Sequence, residues 1–102
     1  MNRVYLLVYA DSLWDRESVK SWADTSPLVE TWRYDLPNCF YLVSDATAAD
    51  LSRDLRERLS SQGRFLITEV AENRQGALPT DSWYFLNRKK TRKPLLTVEQ
   101  EA

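Results

Sequence analysis

Two runs of alternating residues occupy the middle of the chain, from Leu28 to Asp45. In the first, Leu28, Glu30, Trp32 and Tyr34 alternate with Val29, Thr31 and Arg33. In the second, Cys39, Tyr41 and Val43 alternate with Phe40, Leu42 and Ser44. A period of two, rich in aromatic and β-branched residues, predicts strands. Asp35-Leu36-Pro37-Asn38 lies between them and has turn chemistry, so the pair reads as a hairpin. Before it, Val4 to Ala10 is apolar in both phases, which predicts a central strand buried on both sides. After it, Arg64 to Val70 sets Phe65, Ile67 and Glu69 against Leu66, Thr68 and Val70, a fourth strand.

Helical spacing fills the gaps. Val19, Trp22 and Ala23 share one face of a helix over Leu13 to Asp24, with Ser12 or Asp15 to cap it. Thr25-Ser26-Pro27 stops that helix, because a residue before proline avoids the helical region. Thr47 with Asp50 forms a capping box for a second helix. Its apolar stripe is Ala48, Leu51, Leu55 and Leu59, and Gly63 is expected to terminate it. Ala71 to Leu78 has loop composition. Pro79 to Ser82 resembles a helix entrance, and Trp83, Leu86 and Asn87 complete one or two turns.

The order strand, helix, strand, strand, helix, strand predicts an α+β domain of the ferredoxin-like βαββαβ type. Right-handed crossovers would place two helices on one face of a four-stranded antiparallel sheet. Residues 1–90 read as a single domain. Residues 91–102 read as a basic and polar C-terminal tail, in which Leu95 to Val98 could add an edge strand.

Composition narrows the function classes. The chain has 102 residues, enough for one domain that buries roughly two-thirds of its unfolded surface. A 43% hydrophobic content excludes a disordered chain. Cys39 is the lone cysteine, so no intramolecular disulfide forms, and it reads as a small buried hydrophobe rather than a nucleophile. The chain has no histidine, which removes the usual general base and the usual transition-metal ligand. The apolar start is too short to span a membrane and reads as a strand of a cytoplasmic protein. Net charge is −1, but Arg88, Lys89, Lys90, Arg92 and Lys93 concentrate positive charge near the C-terminus and leave a mildly acidic body. Attraction to phosphate would be local to that run, which otherwise reads as a solvated terminus. Trp14, Trp22, Trp32 and Trp83 read as core or interface residues.

Three stretches resemble one family. Tyr9-Ala10-Asp11 ends the first strand. Trp32-Arg33-Tyr34, Phe40-Tyr41-Leu42-Val43, Ala48-x-x-Leu51 and Leu55 cover the hairpin and second helix. Glu69-Val70 and Asn73-Arg74-Gln75-Gly76-Ala77-Leu78-Pro79-x-x-Ser82-Trp83 close the domain. Over about residues 3–87 the chain resembles the small CRISPR-adaptation nucleases, the second of the Cas proteins, and in particular their SinR-like branch. The resemblance implies a homodimer. It also implies Mg²⁺-dependent cleavage of nucleic acid, or a non-catalytic nucleic-acid role. The family's aspartate corresponds to Asp11, which stands one residue beyond the matching position, held here by Ala10.

Two functional readings follow. The first is a small homodimeric interaction protein with no evident catalysis and no cofactor, which could also bind another protein. The second is a metal-dependent nuclease or nucleic-acid binder, with Asp11 as catalytic and metal-ligating residue and Arg88, Lys89, Lys90, Arg92 and Lys93 on phosphate. Asp11 also reads as a polar strand end near the first helix cap, and Gln75-Gly76 as a binding loop or a turn with positive φ at the glycine.

Overall fold

The computed structural model describes residues 2–10, 12, 14–59 and 62–88. Seven elements follow one another: β1 (Arg3–Tyr9), α1 (Arg16–Thr25), β2 (Thr31–Arg33), β3 (Cys39–Ser44), α2 (Ala48–Arg58), β4 (Phe65–Glu69) and α3 (Thr80–Arg88). The strands form one antiparallel sheet in the order β2-β3-β1-β4. The protein is α+β, with a four-stranded antiparallel sheet and three helices.

The two phases of each strand make the two faces. Tyr5, Leu7 and Tyr9 of β1, Phe40 and Leu42 of β3 and Trp32 of β2 share the first face. Val19, Trp22 and Ala23 of α1 and Leu51 and Leu55 of α2 pack on them. Val4, Cys39, Tyr41 and Val43 share the second face, against Phe85 and Leu86 of α3. β1 is therefore covered on both sides along much of its length, as its unbroken apolar run predicts.

Local chemistry sets the helix ends. Asp15 caps α1, its carboxylate accepting from the Ser18 N–H at 2.8 Å. That bond is the main reason its carboxyl is held below the ordinary range. Thr47 caps α2 by accepting from the Asp50 N–H at 3.1 Å. The two helices are tied by Asp54, which accepts from Trp22 Nε1 at 2.9 Å, Ser26 Oγ at 2.7 Å and Arg58 Nε at 3.0 Å. Partial burial pushes the Asp54 carboxyl up, but these three donors outweigh it and hold it below its usual value.

The sequence expectations need four adjustments. Two helices do lie on one face, but α3 adds a third, nine residues long, on the other. The first hairpin strand shortens to Thr31–Arg33, although the Glu30 N–H still reaches Val43 O at 2.7 Å. Gly63 does not cap α2 with a left-handed turn, for no glycine has positive φ. Leu59 caps that helix instead, and a Cβ on Gly63 would lie 2.2 Å from Trp14 Cε2, so close packing on the indole demands glycine there. Gly76 likewise lacks positive φ and has open space around it. The left-handed residue is Asn38, at φ 59°, in the predicted hairpin turn.

Candidate interaction surface

The second face of the sheet holds the least ordinary chemistry of the molecule. Arg33 points to this side of β2, next to a loop that brings Asp35 back towards α3. Arg33 Nε donates to Ser82 Oγ at 2.7 Å, and the Ser82 hydroxyl donates to the Asp35 carboxylate. The Arg33 guanidinium stands 3.8 Å from Asp35, and the two side chains are 5% and 9% exposed. Ser82 is fully buried. This clasp fixes the first turn of α3 over the β2–β3 half of the sheet, where the rings of Tyr41 and Phe85 lie 6.5 Å apart.

The clasp has the composition of a reactive site without the access. Ser82 has no imidazole to take its proton in a chain without histidine, and its carboxylate neighbour is already engaged by Arg33. Burial, then the charge of Asp35, pushes the Cys39 thiol up to about 11, so it stays protonated at neutral pH. The same two causes raise the Tyr41 phenol. These groups are organised to hold α3, a structural use that matches the buried, inert role expected of Cys39.

The cover stops short of β4. Val8 of β1 and Leu66 of β4 are directly opposite each other in the register. They are 41% and 62% exposed, an apolar cross-strand pair facing solvent. Leu36 and Tyr84 are also large and exposed. Beside the pair lies an open strand edge. Val70 N donates to Val4 O and Ala10 N donates to Arg64 O, which sets the even-numbered residues of this strand as the ones bonded to β1. The backbone groups of Phe65, Ile67 and Glu69 therefore point away from the sheet, with no strand beyond them among the described residues.

The site residues expected from sequence are not among those whose side chains the structure describes. Asp11, Lys89, Lys90, Arg92 and Lys93 lie outside the described residues, as do the side chain of Arg88 and the Leu95–Val98 segment. The Mg²⁺ of the nuclease reading depends on Asp11 and so lies outside them too. Among the described residues, no group of three or more His, Cys, Asp or Glu is placed to hold a metal ion. Nor is any described helix long and apolar enough to cross a membrane. Trp14, Trp22 and Trp32 are core residues, whereas Trp83 is half-buried. Sequence reasoning missed the Arg33–Asp35–Ser82 clasp. Its one local signal was a cation at a strand position in phase with buried Thr31.

No protein-family model, no curated protein and no solved structure matches the chain, so the likeness to the CRISPR-adaptation nucleases stays a resemblance carried by its motifs.

Proposed function

We propose that this chain is a small homodimeric interaction protein of ferredoxin-like type, without catalysis of its own. The observation that carries the reading is the solvent-facing Val8–Leu66 pair beside the open edge of β4. Exposed apolar residues on an unprotected edge strand are a template for association. A second copy meets both needs at once. Antiparallel pairing of β4 with the same strand of another molecule gives partners to the outward groups of Phe65, Ile67 and Glu69. The two-fold axis then runs perpendicular to the sheet and brings the two Val8–Leu66 pairs together on one face. It also sets the basic Arg64 end of one strand towards the acidic Glu69 end of the other. The order β2-β3-β1-β4, with α1 and α2 on one face, supports the ferredoxin-like assignment, to which α3 is an addition.

Sedimentation equilibrium tests this reading. The wild type is expected as a dimer, and Leu66→Lys is expected to raise the dimer dissociation constant by about tenfold or more. A monomeric wild type, or a dimer indifferent to Leu66→Lys, would overturn it. Incubated with labelled RNA and DNA, with Mg²⁺ or EDTA, the protein is expected to leave both intact. Mg²⁺-dependent cleavage abolished by Asp11→Ala would replace the interaction reading with the nuclease one.

A further inference from the structure

A cavity of about 410 Å³ lies on the second face, between the sheet, the 71–79 loop and α3. Its size falls in the range of roughly 300–1,000 Å³ typical of small-molecule sites. Leu6, Val70, Leu78, Trp83 and Leu86 give it apolar walls, and the Tyr41 ring closes one side. Within this lining stands one cation, Arg74. Its guanidinium is fixed: one terminal nitrogen donates to Ala71 O at 2.8 Å and the other donates to Asn87 Oδ1. Its Nε–H is buried and has no hydrogen-bond partner among the described residues. No carboxylate lies within ion-pair distance of Arg74 among the described residues.

A fixed, half-buried cation with an unused donor beside an apolar cavity is unusual. Unpaired buried donors are rare in folded proteins and call for a partner. A guanidinium receives a carboxylate better than any neutral acceptor. We propose that this cavity binds a small apolar monocarboxylate, its hydrocarbon part among Leu6, Leu78 and Trp83 and its head group on Arg74. The 71–79 loop then has a ligand-binding use that its lack of regular structure leaves unexplained. The proposal goes beyond the dimer reading, because Leu66 and Val8 do not line the cavity.

Isothermal titration calorimetry with octanoate and 1-octanol tests it. Octanoate is expected to bind saturably at one site per chain, about tenfold or more tighter than octanol, the difference a charged hydrogen bond supplies. Arg74→Gln is expected to reduce octanoate to the octanol level, while Arg74→Lys retains a preference for the carboxylate. Leu78→Trp, which fills the cavity, is expected to abolish binding of both. Leu66→Lys is expected to bind octanoate as the wild type does, which separates this test from the dimer test. Absence of saturable heat in the wild type would overturn the proposal. So would equal affinity for the acid and the alcohol, or displacement of octanoate as protein concentration rises, which would make a second copy the occupant.

Discussion

The two faces of the sheet start from the same material and end differently. β1 and β3, the two central strands, are largely apolar in both phases, so each face needs a cover. On the first face α1 and α2 arrive as crossovers between strands and close its centre: Leu7, Leu42, Leu51 and Leu55 are all 0% exposed. On the second face a single described helix, α3, following β4, covers the β2–β3 half and leaves Val8 and Leu66 in solvent. The first face is held by apolar packing alone at its centre, with Asp54 pinning its rim. The second is held by a buried polar clasp over β2–β3, while Val8 and Leu66 have no cover among the described residues. Apolar alternation tells how much surface must be hidden. It does not tell whether the chain itself does the hiding.

That contrast can be pushed until it breaks. The largest effect is expected on the closed face. Phe40→Ala removes a ring packed among Tyr9, Trp32 and Tyr34 and is expected to cost about 3–5 kcal/mol in urea unfolding. A loss comparable to a surface change would mean that the first face is not the core. Next comes the clasp. Asp35→Ala leaves the Ser82 hydroxyl buried without its acceptor and removes the charge that faces Arg33, and is expected to cost about 2–3 kcal/mol, with Cys39 becoming accessible to thiol reagents. Unchanged Cys39 protection would show that α3 stays down without the clasp.

Smaller again is the rim of the first face. Asp54→Asn is expected to cost about 1 kcal/mol at neutral pH. The folded-state value of Asp54 is lowered, so its contribution is full above the ordinary carboxyl value of about 4 and fades as pH falls through the folded-state value. The gap between wild type and variant should therefore close on acidification below about pH 4. A gap that widens instead would place the stabilisation elsewhere. Smallest is Leu66→Lys, expected to change the stability of the single chain by less than about 0.5 kcal/mol while weakening self-association. A large loss of fold stability would make Leu66 a core residue and erase the distinction between the faces.

Local signals in the sequence were sufficient for local structure. Thr47 with Asp50, the Leu51–Leu55 stripe and the doubly apolar Val4–Ala10 run each act within a few residues, and each element appears where they put it. Features that join distant residues were not legible. Arg33 and Ser82 are 49 positions apart, so nothing near either announces the clasp. Gly63 offered a ready local role as a helix terminator, while its actual constraint is the Trp14 indole. The length of α3 is less legible, because exposed Tyr84 stands beside buried Phe85 and Leu86 and blurs the helical period. The exposure of Val8 and Leu66 was illegible for a simpler reason: their residue types are those of a core.

Cys39 turns the second face into a clock. Its thiol belongs to the buried cluster that holds Phe85 and Leu86 of α3, and burial pushes it up to about 11. A reagent that consumes thiolate is expected to react fastest when α3 lifts, an event that exposes the sulfur and restores its ordinary acidity. The rate of modification under native conditions therefore counts the helix's departures directly. With only one cysteine in the chain, that count needs no deconvolution.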